Sequence, residues 1–300
     1  MLKCEDAFMR CALCQEERDL CKSHIIPHFV FDWLKESSAT GHLRFGPNMN
    51  LRVQDGLKPK LLCKECEARF SASENLFAAN IFHPLHREES IRLSPGPWFR
   101  YDSWCMKFAA SVSWRVLTYF SQLGLKRFTT EQVHAVTQAL AGWRRFLLDT
   151  SENPGPNELH MILLDRLADH TCGDLPKNFN RYLVRSVEPD VVRGVESIFV
   201  YVKMCRVLII GFVRRNPKER WIGTKLRVRK GEIGGKNYVL PSQLLKYICG
   251  RARRLAELEA KISPRQRQKI DAEYDKQMER ALSSESLSIS LHDYEMFGPP

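Results

Sequence analysis

Two short cysteine pairs constrain this chain more than any other feature. Cys11-Ala12-Leu13-Cys14 and Cys63-Lys64-Glu65-Cys66 each set two thiols in one tight turn. Together they offer the four thiolates of a tetrahedral zinc site, which would tie two distant stretches of chain into one unit. Two unrelated buried thiol pairs are one alternative, and a redox Cys-x-x-Cys, which needs only one pair, is another. Cys4, Cys21, Cys105, Cys172, Cys205 and Cys249 lack that spacing and read as small core residues, with Cys21 near enough to the first pair to be a reserve ligand.

The chain has 300 residues, 44% of them apolar and 27% charged, which suits about two globular domains and excludes wholesale disorder. The most apolar run, 198–213, is interrupted by Lys203 and Arg206 and is too short to span a membrane. No apolar leader opens the sequence, so the expectation is a cytoplasmic protein with reduced cysteines. Pro/Gly-rich stretches at 94–97 and 151–157 mark loops and suggest domains over 1–93 and 98–300. Beyond the first loop, Asp102 can cap a buried helix. Thr129-Thr130-Glu131-Gln132 reads as a capping box for a helix running to about Leu148. Runs at 159–164, 182–187, 198–202, 207–213 and 221–228 are β-branched and aromatic, and predict a small antiparallel sheet. Helices follow from Pro241 to about Leu258 and from Ser263-Pro264 to about Leu282, before a frayed serine-rich tail. The expected fold class is α+β: a cysteine-rich head, a helical pair, a small antiparallel sheet and C-terminal helices.

Between the cysteine pairs lies Leu20-Cys21-Lys22-Ser23-His24-Ile25-Ile26-Pro27. After the second pair, Glu67, Ser71 and Glu74 share one face of a helical pattern. A knuckle, a strand bearing His-Ile-Ile-Pro, then Leu61-Leu62-Cys63-x-x-Cys66 opening a helix resembles the zinc-containing HNH endonuclease family over about residues 11–83. That resemblance implies a treble-clef, or ββα-metal, fold in which Zn2+ is structural. It implies that His24 is the general base and that Mg2+ or Mn2+ stabilises the phosphate. Ser23 stands where the family has a metal-ligating Asp or His, Glu67 where it has His, and Lys58 and Lys60 where it has Asn. Glu67, Asn50 and Asp55 are therefore the candidate ligands for the catalytic cation, with Ser71 and Glu74 as supporting groups. The bland readings are that His24 hydrogen-bonds backbone and that Glu67 answers the helix dipole. His83-Pro84-Leu85-His86 reads as a loop. Small HNH-like proteins commonly belong to phage-defence or mobile-element systems, a context the resemblance extends to this chain.

The charge is uneven. The chain carries 46 Lys and Arg against 35 Asp and Glu, net +11. Between Lys203 and Lys236 there are eleven basic residues and two acidic ones, with Trp221 in the middle and Gly231, Gly234 and Gly235 beyond it. Lys225-Leu226-Arg227-Val228-Arg229 alternates, so its charges share a face. Arg214, Arg215, Lys218, Arg220, Lys225, Arg227, Arg229 and Lys230 are the candidate nucleic-acid contacts, with DNA favoured; a solvated edge strand is the alternative. The mixed-sign helix after Ser263 suits a protein partner at the C-terminal helices. The sequence thus predicts a metal-dependent HNH-like endonuclease, or alternatively a non-catalytic zinc-binding treble-clef protein that binds nucleic acid or a protein.

Overall fold

The structure is a computed structural model that describes residues 9–46, 48–87, 98–167, 174–194, 196–235 and 238–299. Cys4, Cys172, Lys236 and the Pro/Gly stretch at 94–97 lie outside the described residues. The fold is mixed α and β with several small sheets. In the head, β1 (Met9–Arg10) and β2 (Glu17–Arg18) pair across the first cysteine turn. β3 (Leu20–Lys22) leads to α1 (His28–Glu36), and β4 (Leu43–Phe45) with β5 (Asn48–Val53) forms a hairpin. β6 (Lys60–Cys63) returns antiparallel to β3 and runs straight into α2 (Lys64–Phe77). Burial of Cys66, Phe70, Ser73 and Phe77, spaced four, three and four apart, gives α2 one inward stripe. A π-helical segment (Ala78–Phe82) and a last helical turn (His83–Leu85) follow, so the expected loop at 83–86 is helical. Its end is buried: His86 packs on Trp33 and Phe82. The expected strand at His-Ile-Ile-Pro ends at Lys22, because the chain turns there into α1.

β7 (Trp98–Tyr101) precedes α3 (Ser103–Gln122), which is buried on nearly every side, and α4 (Thr130–Leu147). The Thr129 capping box is present in full: Gln132 N–H donates to Thr129 Oγ1 and Thr129 N–H to Gln132 Oε1. Next come β8 (Leu159–Leu163), α5 (Phe179–Arg185), β9 (Val187–Arg193), β10 (Ile198–Met204), β11 (Val207–Arg214) and β12 (Gly231–Gly234), which pairs with β7. The main sheet is antiparallel in the order β8-β11-β10-β9. α6 (Ser242–Ala260), α7 (Pro264–Lys276), α8 (Met278–Ser283) and α9 (Glu285–Phe297) close the chain.

Two faces of the sheet explain its hydrophobic runs. Along β10, Val200 and Val202 face one core with Val112, Val116, Phe70 and Phe77, while Phe199 and Tyr201 face a second with Phe179, Leu244, Ile248 and Ile289. The first core joins the head to α3 and the sheet without interruption. At β11, a Cβ on Gly211 would lie 2.9 Å from both Ser113 and Trp143, so this closeness to the helices requires glycine.

Three further expected elements differ. The run 182–187 is mostly the helix α5, because Phe179, Tyr182 and Leu183 bury one helical side and the Asp293 carboxylate accepts from the Asn180 and Arg181 N–H groups (2.9 Å each). The tail expected to fray is α9, held by those same bonds. The run 221–228 makes isolated bridges only, at Ile222 and Lys225.

Candidate metal centre and basic cleft

The head is built around the cysteines. In the first turn Cys11 N–H bonds Glu16 O and Gln15 N–H bonds Cys11 O, with Gln15 at φ 67°, which lets the chain double back on itself. Cys63 is the N-cap residue of α2, where the Cys66 amide favours thiolate charge on Cys63, and Cys66 lies in the first turn. The Sγ atoms of Cys11, Cys14, Cys63 and Cys66 lie within 4.8 Å of one another, so the four could hold a metal ion. Cys63 N–H donates to Cys11 Sγ (3.3 Å), as amides do to metal-bound sulfur. Burial pushes Cys11 up, but amides of Cys63, Cys14 and Leu13 outweigh it and hold its thiol below the ordinary value. Burial pushes Cys63 up to about 11 and Cys66 further, so four thiolates need a cation to coexist there. Arg144 of α4 donates to the Leu13 carbonyl at 2.5 Å and pins the knuckle to the helical core.

A second group forms where the β3–β6 ladder runs on. Ser23 N–H donates to Pro59 O (2.9 Å) and Ile25 N–H to Leu57 O (3.0 Å), which folds the turn at Asp55 over His24. Ile25 and Ile26 are buried and anchor the segment, and Pro27 starts α1 so that His28 is its first residue. A Cβ on Gly56 would come 2.3 Å from the Phe31 ring, so only glycine lets the Asp55 turn lie this close to α1. His24, His28 and Asp55 converge as a result. His28 Nε2 is 3.1 Å and His24 Nε2 3.8 Å from Asp55 Oδ1, and the two rings meet edge to face at 5.1 Å. Lys58 holds the other oxygen, Oδ2, at 2.8 Å. Burial lowers the His24 pKa against the pull of Asp55. Burial raises Asp55, but the Lys58 hydrogen bond and the neighbouring charges outweigh it and hold the carboxyl low.

The other predicted residues fall elsewhere. Glu67 is on α2 beside Ser23 and outside the His24 group. Burial raises its pKa, and the Ser23 hydroxyl and Arg115 oppose the rise. Ser23 is fully buried and accepts from Leu62 N–H (3.1 Å). Ser71 bonds back to the Glu67 carbonyl, and Glu74 pairs with Arg115 at 2.5 Å. Asn50 is turned away: its side chain accepts from Ser263 N–H (2.9 Å) and donates to Lys261 O (3.4 Å), tying β5 to the start of α7. His28 and Arg115 are the residues that sequence reasoning missed. His28 had a signal in its four-residue spacing from His24; Arg115, inside an apolar helix, had none.

The basic stretch divides. Lys203 and Arg206 are buried: Lys203 Nζ donates to the Leu183 carbonyl (2.7 Å) and to that of Cys205, and Arg206 pairs with Asp165 (3.1 Å). Trp221 is also buried, against Phe212, with its N–H on Glu219. Arg214 pairs with Glu131, while Arg215 and Lys225 share Glu158. Lys218, Arg220, Arg227, Arg229 and Lys230 are exposed. Lys225, Arg227 and Lys230, with Arg100 and the exposed Trp98, line a cleft of about 1560 Å³ that contains no member of the His24 group.

Among the described residues no helix is long and apolar enough to cross a membrane. No family model, curated protein or solved structure matches the chain.

Proposed function

We propose that the chain is an HNH-like, metal-dependent endonuclease that hydrolyses phosphodiester bonds in nucleic acid, with DNA as the favoured substrate. The convergence of His24, His28 and Asp55 where the cysteine-anchored strand ends carries this reading. The four cysteines hold a structural Zn2+, and the knuckle, the β3–β6 pair and α2 form a treble clef around it. That unit keeps β3 against α2 and sets His24 beneath the Asp55 turn. A bound divalent cation, Mg2+ or Mn2+, supplies charge stabilisation at the phosphate. His24 activates the attacking water, with Asp55 the nearest carboxylate. The exposed cations of the 218–230 segment hold backbone phosphates and steer the polyanion inward.

One observation favours a second reading, a zinc module that binds nucleic acid or protein without cutting. Ser23 occupies the position of a family metal ligand, and its buried hydroxyl is engaged by backbone. Supercoiled plasmid incubated with Mg2+ or Mn2+ separates the two. The nuclease nicks it, and His24→Ala reduces nicking about a hundredfold or more. Equal nicking by both proteins, or none with either metal, refutes the nuclease.

A further inference from the structure

We infer that His24, His28 and Asp55 form a binding site for a borderline-soft dication of the Mn2+, Co2+ and Zn2+ class, with Asp32 as the residue that positions His28. Three observations lead there. His24 Nε2 and Asp55 Oδ1 are both buried and make no hydrogen bond of good geometry; they face each other across 3.8 Å, and Oδ1 has His28 Nε2 beside it at 3.1 Å. Buried polar atoms are normally satisfied, and a cation between these two would satisfy both. Asp55 has its other oxygen committed to Lys58, so Oδ1 is the one presented.

The third observation is the setting of His28. Its Nδ1 lies 2.6 Å from Asp32 Oδ2, one helical turn along α1. A carboxylate on one ring nitrogen fixes the proton there and turns the lone pair of the other nitrogen outward. That other nitrogen, Nε2, is the atom 3.1 Å from Asp55 Oδ1. Nε2 and Oδ1, each able to ligate, therefore converge with His24 Nε2 on the space that a cation would fill. Carboxylate–histidine–metal relays of this form are how proteins orient imidazole ligands.

Donor type sets the ion. Two imidazoles and one carboxylate suit first-row transition dications and zinc, whereas Mg2+ and Ca2+ prefer oxygen throughout. Three protein donors leave positions for water or a substrate oxygen. The site keeps Asp55 from the sequence-derived ligands and replaces Glu67 and Asn50 with the two histidines. It rests on the nuclease reading only for what the ion would meet; holding the ion takes the Nε2 lone pair, so in that reading His24 would serve as a ligand in place of the general base.

The test is titration of the zinc-loaded full chain with Mn2+ and Co2+ by calorimetry, with Co2+ also followed by visible absorption. The expected result is one ion bound beyond the cysteine site, with cobalt bands lacking thiolate charge transfer and no displacement by a hundredfold excess of Mg2+. His28→Ala and Asp55→Asn abolish binding while zinc content and circular dichroism stay at wild-type values. Asp32→Asn weakens it about 10- to 100-fold. Failure of the folded wild type to bind a second ion, displacement by Mg2+, or unchanged binding in His28→Ala overturns the site and leaves an ion-pair network only. Plasmid nicking on the same preparations keeps the two ideas apart: an ion bound without nicking upholds the site and refutes the nuclease.

Discussion

Replacing Arg115 is the sharpest test of how the head is held to the rest of the chain. Arg115 lies in the middle of α3 and is 1% exposed. Its guanidinium pairs with Glu74 of α2 at 2.5 Å, donates to the His24 carbonyl at 2.7 Å and lies over the Phe70 ring at 5.4 Å. Removing one partner of a buried ion pair strands the other charge and typically costs about 3–5 kcal/mol. The Glu74 side chain is 19% exposed, so water relieves part of that penalty and the lower end, about 3 kcal/mol, is expected for Arg115→Met. Arg115→Met with Glu74→Leu removes both charges and should cost less than the two single changes added together, with a coupling of about 1–3 kcal/mol. Urea unfolding of the zinc-loaded protein measures all three. A loss below about 1 kcal/mol for Arg115→Met, or strict additivity, would show that the strut does not carry the load assigned to it.

Acid should destabilise the fold through its buried histidines. Burial pushes His160 down to about 4 and His86 to about 3, against an ordinary 6.5. The unfolded chain therefore takes up protons first as the pH falls below 6.5, and stability drops by about 2 kcal/mol for each histidine by pH 5. Urea midpoints that stay level between pH 7 and pH 5 contradict this. Lys203, pushed by burial to about 7 from 10.5, works in another window: unfolded chains hold its proton longer, so its contribution to stability grows between pH 7 and 10. Unfolding midpoints across that range should lose this rise in Lys203→Met. At the surface, replacing Arg227, Arg229 and Lys230 by alanine should weaken DNA binding and flatten its salt dependence by about 0.9 in log–log slope per lost phosphate contact. Fluorescence anisotropy at several salt concentrations reads both quantities, and an unchanged slope removes this segment from the interface.

Local rules in the sequence reach as far as local structure does. The cysteine spacing foretells a four-sulfur cluster, and Thr129 with Gln132 foretells a helix start, because each needs only neighbours a few residues apart. The runs at 198–202 and 207–213 form paired strands because a tight turn joins them. Elsewhere the outcome depends on distant partners. Apolar residues at 182–187 suit strand or helix, and it is Asp293, over a hundred residues away, that supplies the helix cap. A charge count over 203–236 includes Lys203 and Arg206, yet both faces of β10 and β11 are covered, so these two groups turn inward to carbonyls and Asp165. Asp55 reaches His24 only because 57–59 pairs with 23–25, a register that neither segment specifies alone. Asn50, nearer to the family pattern in residue type, is drawn off by the loop before α7.

The proposed function divides labour within the head: the cysteines hold the fold and His24 does the chemistry. Zinc content and plasmid nicking, measured side by side on wild type, Cys63→Ser and His24→Ala, test it most directly. Cys63→Ser is expected to lose zinc, folded structure and nicking together, while His24→Ala is expected to keep its zinc and its fold and to lose only the nicking. A His24→Ala protein that cuts as fast as wild type at equal zinc content would contradict it.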